Sequence, residues 1–162
     1  MKEIQVPTLL WYGEKTLTLR FPDEWKVRLH PMNGNEMRSL SEEEIKTALS
    51  MPIGSKTIEK LARERREAVI VVDDMTRATK AHQIVPHILK ELSDGGISKD
   101  HTRFIIGLGT HGANDRVDFV KKLGEDVVEE YPIYNHNPFA NLTHLGETSR
   151  GTPVSINSEF MA

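Results

Sequence analysis

The sequence predicts an α/β protein: a Rossmann-like parallel sheet with flanking helices, preceded by a small β-rich N-terminal lobe. Three observations carry this expectation. Ala68-Val69-Ile70-Val71-Val72 and Phe104-Ile105-Ile106-Gly107-Leu108 are short, nearly unbroken apolar runs, as expected of strands buried on both faces of a parallel sheet. A stretch with helical periodicity separates them. Each run then opens into a polar segment, Asp73-Asp74-Met75-Thr76-Arg77 after the first and Gly109-Thr110-His111 after the second. Right-handed crossover chirality would set both exits at one sheet edge, where open α/β folds bind ligands.

Composition narrows the class. The 162 residues suffice for one domain with a sizeable core, or for one domain with an appended lobe. Hydrophobic and charged contents of 38% and 28% are those of a globular chain, not a disordered one. A formal net charge of -3, with both signs interspersed, gives no footprint for nucleic acid or a membrane surface. No apolar run approaches the roughly 18 residues of a membrane span, and no secretory leader pattern opens the chain, so a cytoplasmic location is expected. The absence of cysteine removes disulfides, thiolate metal sites and thiol nucleophiles.

Along the chain, residues 9–21 read as a β-hairpin turning at Gly13-Glu14-Lys15, and residues 25–29 as a third strand. Pro31, Asn33, Gly34 and Asn35 mark a loop. Ser41-Glu42-Glu43-Glu44 has the form of a capping box, so a helix should run from there to about Ser50. Pro52 and Gly54 end it. Residues 57–66 resemble a second, charged helix with Ile58, Leu61 and Ala62 on one face.

After the first buried strand, Ile84, Val85, Ile88, Leu89 and Leu92 form an apolar stripe. Proline costs about 3 kcal/mol inside a helix, so that helix should begin near Pro86 and end at Asp94-Gly95-Gly96. The second strand covers residues 102–108. A helix is expected from about Asp115 to Leu123, with Gly124 as its stop and one more turn over residues 125–130. Ile133 and Tyr134 suggest a third parallel strand that exits at Asn135-His136-Asn137-Pro138. Val154-Ser155-Ile156 reads as a short late strand. Residues 158–162 resemble the first turn of a helix capped by Ser158, and a helix cut off at its first turn suggests that the chain is a fragment.

The exits hold the chemistry. Arg77 offers a planar fork for a carboxylate or phosphate, and Asp74, three residues earlier, could hold that fork or simply close the turn as a structural pair. Asp73 and Asp74 together would alternatively suit Mg²⁺ in a phosphate-handling enzyme. His111 follows Gly109 and Thr110 at the second exit, and the ordinary imidazole pKa of about 6.5 suits proton transfer at neutral pH, although a lone histidine is more often structural. Thr76, Thr110 and His136 are further candidates to line the crevice, His136 competing with an Asn/His turn that satisfies its own backbone. His30, His82, His87, His101 and His144 show no metal-ligand spacing, so no metal ligand is assigned. Gly107-Leu108-Gly109-Thr110-His111-Gly112 fails the dinucleotide-binding spacing, and no P-loop occurs. Residues 148–153, small and basic, fit a phosphate contact or a tight turn equally well.

Taken in order, Asp74-Met75-Thr76-Arg77, Gly109-Thr110-His111, Tyr134-Asn135-His136-Asn137 and Arg150-Gly151-Thr152-Pro153-Val154 resemble the N-terminal domain of the nickel-dependent lactate racemase family, over essentially the whole chain. The resemblance implies an isomerase, a 2-hydroxy acid racemase or epimerase of two domains. It implies a nickel-pincer nucleotide cofactor at a site between them, and a small 2-hydroxy acid as substrate. By the same resemblance Arg77 would bind the substrate carboxylate with Asp74 beside it, and His111 would be one of two histidines exchanging the hydroxyl proton. Residues 1–162 would be the N-terminal domain, a β-rich segment over about 1–36 and an α/β core over about 41–162, with the C-terminal domain absent.

Ala78 and Gly112 stand where the family commonly has proline and a basic residue, which opens the choice of hydroxy acid. The family's second catalytic histidine, nickel-ligating histidine and cofactor-bearing lysine would lie beyond residue 162, and no lysine follows Lys122. The fragment is therefore expected to hold no cofactor covalently and to be inactive alone, the missing domain being its principal partner. A stand-alone α/β module for a small anion or nucleotide is the competing reading.

Overall fold

The computed structural model describes all residues except 9, 10, 12, 14, 36 and 162. The chain divides into two compact units, Met1–Ser41 and Glu42–Ala162.

In the first unit, β1 (Lys2–Pro7) pairs antiparallel with β2 (Thr16–Phe21), Ile4 opposite Leu19 and Val6 opposite Leu17. The second arm of the expected hairpin is present, but its partner lies earlier than residues 9–12, most of which fall outside the described residues. The alternation of Ile4 and Val6 with polar neighbours was the signal for β1. Residues 25–29 form no strand. Trp25 sits in a bend, its ring 6.2 Å from that of Phe21, so its aromatic character serves packing beside the hairpin and not a ladder.

In the second unit a parallel sheet has the order β3 (Ala68–Asp73), β4 (Thr102–Gly107), β5 (Ile133–Asn135). The central strand is therefore β4, and β3 lies at the edge among the described residues. This corrects the expectation that Ala68-Val69-Ile70-Val71-Val72 is buried on both faces: Val71 is 55% exposed. An apolar run shows that a strand is strongly β-forming, but its place in the sheet is set by its neighbours.

One face of the sheet carries the main core. Phe104, Ile106 and Leu108 pack with Val85, Leu123 and Val127, and with Ile70, Val72 and Ile133 around them. The helices that cover this face are α3 (Val85–Asp94), α4 (Arg116–Leu123) and α5 (Glu125–Glu130). Pro86 sits in the first turn of α3, where its missing N–H costs nothing, as the sequence predicts. Asp115 caps α4 in a reciprocal box with Asp118, and Gly124 closes it.

Before the sheet run α1 (Glu42–Ser50) and α2 (Ile58–Ala62), the latter capped by the Thr57 side chain on the Lys60 amide. α2 stops four residues short of the expected Arg66. Ile58 and Ala62 pack inward beside Leu92 and Ile97, whereas Leu61 is exposed, so the buried stripe is too short to support more turns. Gly95 is what lets α2 approach α3: an added Cβ there would lie 2.4 Å from Ala62 Cβ and 2.7 Å from Glu59 O.

After β5, β6 (Leu142–Glu147) and β7 (Pro153–Asn157) form an antiparallel hairpin. The sequence predicts β7 but not β6, the strand that carries His144. Residues 148–152 form the turn, closed by Thr148 N–H to Thr152 O at 2.9 Å and by Thr148 Oγ1 accepting from the Arg150 and Thr152 amides. The final turn, Ser158–Phe160, is capped by Asn157 and not by Ser158, whose hydroxyl meets Thr143 instead.

Candidate functional site

The parallel register fixes which side chains meet. Asp73 is opposite Gly107, so the chain leaves β3 and β4 side by side at the same sheet edge. After β3 the backbone turns at once, with Arg77 N–H donating to Asp74 O at 3.2 Å. After β4 it turns through Gly109 at φ +59, a left-handed conformation that favours glycine, and His111 N–H donates to Leu108 O at 3.1 Å. These two turns bring His111 Nδ1 to 2.5 Å from Asp74 Oδ2. A carboxylate only accepts, so Nδ1 carries the proton and Nε2 is the nitrogen available for exchange.

The Asp74 side chain is 6% exposed and that of His111 52%. The other oxygen of Asp74 accepts from the Thr76 amide at 3.1 Å and the Thr76 hydroxyl at 2.6 Å. Thr76 Oγ1 in turn accepts from Arg77 Nη1 at 2.9 Å, so one hydrogen-bonded chain links guanidinium, hydroxyl, carboxylate and imidazole. Burial pushes the Asp74 carboxyl up, but the Thr76 and His111 hydrogen bonds outweigh it and hold the group below the ordinary carboxylate range.

Asp74, Arg77, Thr110 and His111 line a single cleft of about 420 Å³, together with Asp73 and the backbone of residues 107–109. Thr76 contributes through its bonds to Asp74 and Arg77. His136 belongs elsewhere. Its amide bonds Ile106 O, its Nδ1 faces Asn157 Nδ2 at 3.3 Å, and it lines a second, mostly apolar cleft with Val71, Ile105 and Ile156.

Asp73, adjacent to Asp74, is held differently. Oδ1 pairs with Lys122 Nζ at 2.6 Å and Oδ2 accepts from Thr79 Oγ1 at 2.7 Å. Burial raises this carboxyl too, and the Lys122 and Thr79 hydrogen bonds more than reverse it. Both acids of the expected Mg²⁺ pair are thus engaged by protein donors, and among the described residues no three His, Asp or Glu side chains converge to hold a metal.

Two features escaped the sequence reading. Asn135, at the end of β5, accepts from the Asn114 amide at 3.2 Å and donates to Asn114 O at 2.9 Å, anchoring the far end of the His111 loop. Lys122, on α4, is only 2% exposed at its side chain and reaches the Asp73–Arg77 segment. Its spacing of three from Phe119, on the core-facing side of an amphipathic helix, was the available signal.

Comparison with known proteins identifies the family of the chain. The sequence model of a family described as the lactate racemase N-terminal domain matches residues 12–162. A lactate racemase of Lactiplantibacillus plantarum is 30% identical over 151 residues, covering 90% of this chain and 35% of that protein. A lactate racemase of Thermoanaerobacterium thermosaccharolyticum is 29% identical over 162 residues, covering 97% of this chain and 37% of that protein. The solved structure of the lactate racemase apoprotein from T. thermosaccharolyticum superposes with a TM-score of 0.67 at 27% identity, over 96% of this chain and 36% of that one. The chain therefore spans just over a third of the length of the curated relatives it matches. On a family match of this extent, reinforced by the shared fold, the chain belongs to the lactate racemase N-terminal domain family.

Proposed function

We propose that this chain is the N-terminal catalytic domain of a 2-hydroxy acid racemase or epimerase of the lactate racemase type, and that it carries one half of the site. The observation that bears most weight is the Asp74–His111 pair in the same cleft as Arg77. Arg77 binds the substrate carboxylate through its guanidinium, which fixes the 2-hydroxy group toward the imidazole. His111 takes and returns the hydroxyl proton at Nε2. Asp74 acts behind it, holding the ring and its Nδ1 proton. That role replaces the one implied by the family resemblance, in which Asp74 stands beside Arg77 at the substrate.

The residues lining the cleft include no lysine to which a nickel-pincer nucleotide could be attached. No metal-holding cluster exists among the described residues, and Lys122 is enclosed by its oxygen partners. That cofactor belongs to sequence outside residues 1–162, together with the rest of the site, and the chain alone is inactive. No helix of the described residues is long and apolar enough to cross a membrane.

The test has two parts. Titrating L- and D-lactate into the labelled chain should move the Arg77 side-chain and His111 ring resonances, and Arg77→Ala should lose the response. Grafting this chain in place of the matching segment of the T. thermosaccharolyticum enzyme should give lactate racemisation that His111→Ala abolishes. A graft that is folded and cofactor-loaded yet equally active without the His111 imidazole would remove this residue from the mechanism.

A further inference from the structure

We infer that Lys122, a buried lysine with no assigned role, is the positioning residue of the candidate site: its ammonium fastens the strand exit that carries Asp74 and Arg77, and through Asp74 it sets the imidazole of His111. Three oxygens of one short segment surround Nζ. They are the Asp73 carboxylate at 2.6 Å, the Asp74 carbonyl at 3.1 Å and the Arg77 carbonyl at 3.1 Å. An ammonium has three N–H donors, so one side chain satisfies the first and last carbonyls of the turn and the acid that precedes it.

A buried lysine is costly to maintain, and elsewhere in this fold surface lysines suffice for ion pairs, as in Lys46 with Glu42 and Lys90 with Asp94. What Lys122 adds is the orientation of a loop. The two carbonyls it binds belong to the residues flanking Met75 and Thr76, so the direction of the Asp74 and Arg77 side chains follows from the path that Lys122 imposes. The base of the lysine is fixed as well. Its helix begins at the Asp115–Asp118 box and packs into the core through Phe119 and Leu123, so Nζ is presented from a rigid element. Asp74 Oδ2 then meets His111 Nδ1, which makes the imidazole the last member of a chain that starts at the ammonium.

This inference rests on the reading of the cleft as a substrate half-site only for its consequence in catalysis. The positioning itself is independent of that reading.

The experiment is NMR on the labelled 162-residue chain. In the unsubstituted protein the Lys122 ammonium protons should exchange slowly and show hydrogen-bond scalar couplings to the carbonyl carbons of Asp74 and Arg77. The neutral His111 ring should be the Nδ1–H tautomer, with a downfield, bonded Nδ1 proton. In Lys122→Met the folded protein should lose that bonded proton and show mixed tautomers. Val127→Ala, a core substitution that lowers the melting temperature without touching the turn, should keep both signatures.

Should Lys122→Met fail to fold, the Lys122→Met/Asp73→Asn variant, which leaves no stranded charge, is read in the same way. If neither folds, the couplings in the unsubstituted chain decide, and their absence overturns the inference. It is equally overturned if Lys122→Met folds and retains the bonded His111 proton and single tautomer. L-lactate separates the two readings. A silent response in the unsubstituted chain, with the Lys122 signatures intact, defeats the racemase reading alone. An equal lactate response in both proteins, with His111 unchanged, defeats the positioning role alone.

Discussion

The polypeptide leaves β3 through a turn fastened largely from inside the protein, with Arg77 on the cleft, and leaves β4 through a turn whose side chains face the cleft. At the first exit Asp73, the carbonyls of Asp74 and Arg77, and the Asp74 carboxylate all find partners in Lys122, Thr79, Thr76 and His111. At the second exit Gly109 makes the turn, Thr110 is exposed, and His111 has a largely accessible side chain held by one carboxylate. The difference teaches a division of labour. A residue that exchanges protons must be reachable and still fixed in direction, and the protein meets both demands by placing rigidity in the neighbouring strand exit. Adjacent acids divide in the same way, Asp73 toward the lysine and Asp74 toward the imidazole.

The comparison predicts a graded set of effects. Lys122→Met should cost the most, about 2–3 kcal/mol in chemical denaturation, because it removes the ammonium shared by the Asp73 carboxylate and the Asp74 and Arg77 carbonyls. The value falls below that of a fully buried pair because the Asp73 side chain is 36% exposed and partly screened by solvent. Asp74→Ala should follow at about 2 kcal/mol, leaving the Thr76 amide and hydroxyl without their acceptor. Gly109→Ala should cost about 1 kcal/mol from its positive φ alone, since a Cβ there meets no atom within 4 Å. His111→Ala should change stability by under about 0.5 kcal/mol while abolishing racemisation in the grafted enzyme. Equal losses at Asp74 and His111 would erase the distinction between the exits.

Acid should weaken the first exit through Asp73 and Asp74. Both folded carboxyls lie below the ordinary range, so they favour the native state at any pH above the unfolded value of about 3.9, and that contribution is lost as pH falls through the folded values. Melting temperature should hold level above about pH 5 and decline below it, less steeply in Asp74→Asn. A decline of the same slope in that variant would show that Asp74 is not among the groups responsible.

Much of the α/β unit was legible because its signals are local. The apolar runs of β3 and β4, Pro86 at the start of α3, and Asp115 and Gly124 at the ends of α4 each act through nearby backbone. β1 and β6 were missed for the opposite reason. Lys2-Glu3-Ile4-Gln5-Val6 carries only the short alternation of Ile4 and Val6, Leu142-Thr143-His144-Leu145 is a weak strand by composition, and both become strands by pairing with β2 and β7. At the candidate site the sequence supplied Asp74, Arg77, Thr110 and His111, which share one cleft, while His136 lines another. Their chemical roles remain the substance of the proposal.

By itself, then, the sequence determined the chemistry available at the sheet edge: one guanidinium, two carboxylates and one imidazole, carried on turns that short apolar strands must end in. Only the tertiary structure decided how these groups are connected. Strand order put β4 in the centre, register set Asp73 beside Gly107, and packing of α4 delivered a lysine from 45 residues beyond Arg77 to the carbonyls of the turn. Hydrogen bonds between groups so distant in sequence depend on backbone positions fixed by the whole core, and no local pattern encodes them.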